Sequence, residues 1–470
     1  MARFFKFHTL ADLQEECRRL ELNIRFSDDL SPLFRPVVIG KLRAGNSMCI
    51  QPMEGCDGTL DGRPDELTFR RYLRFGGGGA KLIWGEAAAV TLEGRASPRQ
   101  LHINEKTAPE FRRMLEICRQ AHRDAFGSDD DFVVGLQLTH SGRYSYQRPL
   151  IAFHDPILDP RTQDKSSGSV IDSSYPLIDD DYLKRLPDHY VAAAKLAYQI
   201  GFQFVDIKQC HRYLLSELLA AKTRPGPFGG SLENRTRLAR EIIGRIRSEI
   251  PGLLIASRLN VFDGIPYEKR ANGVGEPCPW KAPVLSAWGT REDDPPQADL
   301  REPKEWISEM SRLGVGLVNI SMGNPYASMH IIRPYEYPPP DGYESPEHPL
   351  HGVDRHFRLA SEIQQAFPQL PMVGSGYSYL QEFLFHAGAA NVRDGRIALV
   401  GVGRASLPQP DFARRLMQDG RLDRKRVCRT FSYCTGLMRA KHNELGQFAT
   451  GCPPFDKEVY GPIWEEAKKK

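Results

Sequence analysis

Lys208, His211 and Tyr213 crowd into six residues at the end of a short apolar run, in the stretch GFQFVDIKQCHRYLLSELLAAKTRPGPFGGSLENR over residues 201–235. A lysine and a histidine can both donate hydrogen bonds to one oxygen, and such a pair draws charge out of a conjugated carbonyl. A lysine there can also form a Schiff base with a carbonyl substrate, or stand in an ion pair with a neighbour such as Glu54 or Asp206. His211 has a purely packing alternative, as does Tyr213 in the helix that follows. The run then passes through Gly-Gly-Ser into a helix, so the triplet sits where a strand hands over to a helix. That is the face on which barrel enzymes carry their chemistry.

Two further segments could hold an anion. MVGSGYS (372–378) and VGVGRAS (400–406) each put glycines after a short apolar strand, where backbone N–H groups approach a phosphate closely. Taken singly such turns are simple bends, but a pair after the seventh and eighth strands of a barrel is its usual phosphate cradle. His348, His351 and His356 with Glu347 and Asp354 form the one histidine-rich group, and it matches no metal-ligand spacing. A solvated Pro-rich loop is the expectation there, with no metal assigned.

These segments need a scaffold, and the apolar pattern supplies one. Short apolar runs at 48–51, 82–86, 132–138, 204–208, 253–258, 316–321, 372–374 and 397–401 read as eight strands buried on both faces. Helical patterns alternate with them, such as 188–200, stopped by Gly201, and 235–250, whose Leu238, Ile242, Ile246 and Ile250 share a face. The expected fold is α/β, a (β/α)8 TIM barrel. Its divisions are an N-terminal helical extension (1–32), the barrel (33–420) and a C-terminal tail packing on it (421–470). A helix is expected over 10–20, N-capped by Thr9 with Asp12 three residues on. PLFRPVVIGKLRAGNS reads as a hairpin that could close the bottom of the barrel. Segments 145–182 and 262–303, rich in Pro, Asp, Ser and Gly, follow strand ends and read as long loops on the catalytic face.

Composition narrows the function. The chain has 470 residues and a formal net charge of +4, with no basic stripe, so neither nucleic acid nor a membrane surface is an expected partner. A small-molecule substrate is expected, with a homo-oligomer left open. No apolar run approaches the roughly 20 residues of a membrane span, no signal-peptide pattern opens the chain, and nine scattered cysteines suit a reducing compartment. The expected location is cytoplasmic.

The motifs, taken in order over roughly residues 33–415, resemble those of the Old Yellow Enzyme family of NADH:flavin oxidoreductases. NSMCIQPMEG, GEAAAVTLEGR, GLQLTHSGRYS, the 201–235 stretch with its GGSLENR, LLIASRLN and the two glycine turns carry the resemblance. It implies an FMN flavoprotein, fed by NADH or NADPH, that reduces an activated C=C bond in a ping-pong cycle. It further implies that Gln51, Pro52, Met53, Glu54, Ala87 and Gln137 lie against the flavin ring, with Arg258 beside N1 and O2. Read alone, Arg258 could equally be a buried arginine paired with a carboxylate. Ser375, Gly376, Gly403 and Arg404, with Tyr377, are implied around the phosphate.

The implied catalytic set is Lys208, His211, Tyr213 and Glu54, and it departs from the family pattern. Family members hold the substrate oxygen with His-His or His-Asn, where this chain has Lys208 and His211; they carry Thr or Cys at Glu54, and some a substrate-facing Tyr at Cys56. Flavin-dependent oxidation of a C–N or C–H bond, as in the amine dehydrogenases, is therefore an alternative. A Schiff-base lyase using Lys208 is another, and a non-catalytic flavin-binding protein a third. Larger relatives append a four-cysteine iron–sulfur motif; here only Cys428, Cys434 and Cys452 occupy that region, with Phe431 near the place of another ligand, and no cluster is expected.

Overall fold

Eight short apolar runs, buried along almost their whole length, build the frame. The computed structural model describes residues 4–442 and 445–469. In it the strands β1 (Met48–Ile50), β2 (Leu82–Ala89), β3 (Val133–Thr139), β4 (Phe204–Ile207), β5 (Leu254–Asn260), β6 (Val315–Ser321), β7 (Met372–Gly374) and β8 (Leu399–Val402) close into one barrel. Every neighbouring pair is parallel, from Cys49 opposite Leu82 round to Val400 opposite Met48. Helices cross between successive strands, as in Glu66–Gly76, Ala108–Phe126 and Leu232–Glu249. This is the expected (β/α)8 TIM barrel, its eight strands at the eight apolar runs.

Alternation along each strand divides the interior into two layers. Cys49, Leu82, Trp84, Val133, Phe204, Ala256, Leu317, Val373 and Leu399 form a separate apolar cluster inside the barrel, and Ile39 and Ala44 join it from below. Those two belong to the antiparallel hairpin Val37–Ile39 and Leu42–Ala44, turned at Gly40 (φ 58°). The hairpin plugs the N-terminal end of the barrel, as its sequence suggested. Above it the inward residues become polar and hold one another. Asp206 accepts from Trp84 Nε1 at 2.7 Å, from Gln137 Nε2 at 2.6 Å and from the Arg258 backbone N–H at 2.7 Å. Gln51 accepts from Asn319 at 2.7 Å and donates to Ser375 Oγ at 3.0 Å. The apolar layer excludes water, so each buried polar group above it must find a partner in the protein.

Two helices differ from their expected form. The helix expected over 188–200 runs Asp180–Ile200, with Pro187 inside it and Gly201 (φ 113°) closing it. Proline removes one interior donor, but Leu183, Leu186 and Tyr190 on the same face are buried in the core, and that burial carries the helix through. The histidine-rich segment read as a solvated loop is the helix Pro349–Ala366. His348 caps it by accepting from Leu350 N, and His356 is buried against the carbonyls of Ile331 and Ile332. At the N-terminus the helix Leu10–Arg19 starts at a Thr9 capping box with Asp12.

The two long loops meet over the strand ends. Ile157 of the first packs with Ile265, Cys278, Val284 and Ala287 of the second, and Arg161 pairs with Glu268 at 2.6 Å. After the helix Phe412–Asp419 the chain adds the helices Tyr433–Arg439 and Lys457–Ala467. Leu437, Phe448 and Tyr460 give this segment a small core of its own.

Candidate active site

A cavity opens at the C-terminal ends of the strands, with about 1210 Å³ of non-atom space once the part open to solvent is counted. Its floor is Gln51, Pro52, Met53, Glu54, Ala87 and Gln137, from the first three strands and the turns after them. Lys208, His211 and Tyr213 approach from the end of β4, and Arg258 from β5. Ser375, Gly376, Tyr377, Gly403 and Arg404 line it after β7 and β8. The residues implied for catalysis and for the flavin all line one space. Cys56 is not among the lining residues; it lies buried behind Glu54 at φ 49°.

Lys208 enters the cavity without a carboxylate partner. Its ammonium sits 3.7 Å from the centre of the Tyr213 ring, a cation–π contact, and no carboxylate among the described residues is within ion-pair distance. The pairing with Glu54 or Asp206 considered from the sequence is therefore not formed, and Asp206 is fully engaged below. Burial lowers the pKa of Lys208, and nearby Cys210 and Glu54 oppose the shift. Burial also lowers His211 well below its usual value, helped by the positive charges of Arg258 and Lys208, so its imidazole is neutral at pH 7. One ring nitrogen, Nε2, bonds Ser321 Oγ at 2.8 Å.

Glu54 has the opposite perturbation. Burial raises its carboxyl to about 7, with Lys208 pulling down and Glu86 pushing up. It is the single carboxylate lining the cavity among the described residues, and at neutral pH it exchanges a proton readily. Tyr213 immediately precedes the helix Leu214–Leu219, and its hydroxyl meets that of Tyr326 at 3.1 Å.

The turn that presents His211 is strained. His211 (φ 65°) and Arg212 (φ 61°) both adopt left-handed backbone, which costs a non-glycine residue energy. Arg212 fixes the turn: its guanidinium binds Asp155 of the first long loop at 2.6 Å and Asp263 of the second at 3.2 Å, all three side chains buried. Arg143 behind it binds Asp159 and Glu217, each at 2.7 Å. Both arginines were passed over in the sequence because a lone Arg carries no periodic signal.

Arginines also dominate the outer part of the cavity. Arg258 makes no ion pair among the described residues; it reaches Pro52 O at 3.4 Å, and its Nε has no partner. At position 258 the arginine is thus not paired with a carboxylate. Arg404 donates to Pro334 O at 2.6 Å and leaves Nη1 unpartnered. Beside it Gly376 (φ 95°) admits no side chain, since a Cβ would fall 2.8 Å from His356. Three lining groups escaped the sequence reading: Arg333, Tyr326, and a set from the C-terminal segment, Thr435, Met438, Arg439 and Thr450.

The same segment gathers its cysteines. Cys428, Cys434 and Cys452 line one small neighbouring cavity together with Phe431. Three thiols are one short of the four-cysteine set of an iron–sulfur cluster, and Phe431 offers no donor. The residues present do not fit that group.

A water-excluding barrel whose open end gathers unpaired cations, glycine turns and a donor pair defines a class, the anionic-cofactor barrel enzymes. The sequence profile described as NADH:flavin oxidoreductase / NADH oxidase family matches residues 32–299, and the chain belongs to that family. An NADPH dehydrogenase of Bacillus subtilis is 27% identical over 395 residues, 81% of this chain and 93% of that protein. An NADH:flavin oxidoreductase of Gibberella zeae is 27% identical over 254 residues, 50% of this chain; the match spans 58% of the Gibberella protein. Among solved structures, 2-naphthoyl-CoA reductase overlays with a TM-score of 0.66 at 18% identity, covering 93% of this chain and 58% of that one. The Old Yellow Enzyme homologue of Zymomonas mobilis gives 0.57 at 22% identity, covering 85% and 96%. At these identities the overlays speak to the fold.

Proposed function

We propose that this protein is an FMN-dependent oxidoreductase, reduced by NADH or NADPH, that saturates an activated C=C bond of a small molecule. One observation carries the reading: the unpaired Arg258, the glycine turns with Arg404, and the Lys208–His211 pair all face one cavity. The residues fit FMN. Ser375, Gly376, Gly403 and Arg404 would hold its phosphate, and Tyr377 the approach to it; Gln51, Pro52, Met53, Ala87 and Gln137 would border the ring. Arg258 would set a fixed positive charge beside N1 and O2. When bound, FMN supplies hydride transfer, accepting from the nicotinamide and delivering through N5.

The chain's own side chains then have definite tasks. Lys208 and His211 donate to the substrate oxygen, Lys208 from its buried side-chain nitrogen and neutral His211 with an N–H. Such donors, aimed where negative charge develops, stabilise the transition state. The proton for the carbon next to the carbonyl comes from Glu54, half protonated near pH 7, or from Tyr213. The hairpin plug and the packed long loops keep bulk water from the reacting atoms. In this reading the barrel spans 33–420, the segments 1–32 and 421–470 flank it, and the chain works in the cytoplasm. In keeping with that location, all nine cysteines are free, and no helix among the described residues is long and apolar enough to cross a membrane.

One observation favours a second reading, because burial lowers the pKa of Lys208, as a Schiff-base lysine requires. The experiment separates the two. Purified protein should show an oxidised-flavin band, and heat should release FMN. Lys208→Arg and His211→Asn should keep flavin reduction by NAD(P)H while reoxidation by an enone slows by about 10²–10³-fold. Colourless protein that takes up no FMN, or a borohydride-trapped adduct on Lys208, would overturn the reductase reading.

A further inference from the structure

We infer that the substrate carries a carboxylate, held by Arg333 and Arg439 at the end of the cavity that the C-terminal segment closes. The inference rests on the flavin-reductase reading above and names the class of substrate. Arg333 follows the short helix Met329–Ile332 and lines the cavity. Its Nε and Nη2 have no hydrogen-bond partner, and no carboxylate among the described residues pairs with it. Its charged neighbours are the cations Arg404 and Arg439, and burial together with their repulsion lowers it to about 10. A buried charge without a counter-charge is costly, so this site asks for an anion from outside the chain.

Arg439 defines where that anion lies relative to the reacting end. It comes from the C-terminal segment and is fixed by Asp341 at 2.9 Å and Pro325 O at 2.7 Å. Its guanidinium stands 4.6 Å from the centre of the Tyr326 ring. The Tyr326 hydroxyl meets that of Tyr213, whose ring lies under the Lys208 ammonium. Two tyrosines in hydroxyl contact therefore lie between Lys208 and Arg439, their rings steeply inclined to each other, since Tyr213 stands at 88° and Tyr326 at 31° to the Tyr144 ring. A molecule lying along this pair would put its oxygen at Lys208 and His211 and its carboxylate at Arg439 and Arg333. The cofactor uses different groups: the phosphate takes the glycine turns and Arg404, and N1 with O2 takes Arg258. Arg333 is left over, and Glu54, the lining carboxylate, makes no hydrogen bond to its unpartnered Nε or Nη2.

The test uses the FMN-loaded full chain and two probe pairs of different length, 4-hydroxybenzoate against 4-hydroxybenzamide and 4-hydroxycinnamate against its primary amide. Each has a phenolic oxygen for the Lys208 end and differs only in charge at the other. Calorimetric titration should show at least one acid binding about 10- to 100-fold tighter than its amide, the worth of a charge-assisted hydrogen bond. Arg333→Gln and Arg439→Gln should each remove most of that preference, and Arg333→Lys should keep part of it. Affinities for FMN and riboflavin are measured on every variant after cofactor removal. Acids and amides binding equally in both pairs would overturn the inference. So would Arg333→Gln weakening FMN far more than riboflavin with the acid preference intact, since Arg333 would then serve the cofactor phosphate. Failure of the unaltered chain to bind FMN at all would instead refute the flavin reading beneath it.

Discussion

Replacing Arg212 by leucine removes the cation that joins the two long loops beneath the His211 turn. Arg212, Asp155 and Asp263 have side chains only 3%, 3% and 4% exposed, so neither carboxylate can turn to water. Taking one partner out of a buried ion pair costs about 3–5 kcal/mol, a large part of the roughly 5–15 kcal/mol that holds a domain folded. Equilibrium unfolding in urea at pH 7 should show a loss of that size. The deficit should shrink at pH 5. Burial already raises the Asp263 carboxyl while Arg212 holds it down; without Arg212 its folded pKa rises further. A raised carboxyl penalises the fold above that pKa, and the penalty is relieved as pH falls and the group protonates. Arg212→Leu combined with Asp263→Asn should recover part of the loss, because the stranded charge is gone. The left-handed backbone at His211 would also lose its anchor. A misplacement of about 1 Å can cost about 10²-fold, so reoxidation by substrate should slow while reduction by NAD(P)H survives. A stability loss below about 1 kcal/mol with unchanged reoxidation would refute this account of the turn.

Arg258→Met should lower the flavin potential or weaken FMN binding without loss of fold, as read by reductive titration and fluorescence; unchanged values would place this arginine away from the ring. In single-turnover experiments, substrate reduction should fall as pH rises through about 7, where Glu54 loses its proton, and Glu54→Gln should flatten that limb; an unaltered profile assigns the proton elsewhere. Anaerobically prepared protein should contain no stoichiometric iron or acid-labile sulfide, since Cys428, Cys434 and Cys452 face Phe431 rather than a fourth thiol; about four of each per chain would show a cluster ligated in another way.

The strands were legible because a barrel strand is buried on both faces and leaves a short unbroken apolar run. Helix starts were harder: Pro187 masks the first two turns of Asp180–Ile200, since tertiary burial, invisible to local propensity, decides there. Pro349 at the first turn and His348 as cap likewise made a helix resemble a loop. The central site residues stood out because they follow strand ends in a recognisable order. Arg333, Tyr326 and Arg439 did not, for they reach the cavity from irregular connections and from a segment far along the chain. Arg212 and Asp206 act through buried partners distant in sequence, and no periodicity records such pairings.

The hairpin plug under the barrel has a kinetic consequence. With Ile39 and Ala44 packed into the apolar floor, the well is blind at its lower end, and what enters must leave on the side of the strands' C-terminal ends. Met438 and Arg439 of the C-terminal segment line the same well. In the proposed cycle nicotinamide and substrate would both enter on the side of the strands' C-terminal ends. Each should compete with the other at high concentration, and departure of one product should limit how soon the next visitor is admitted.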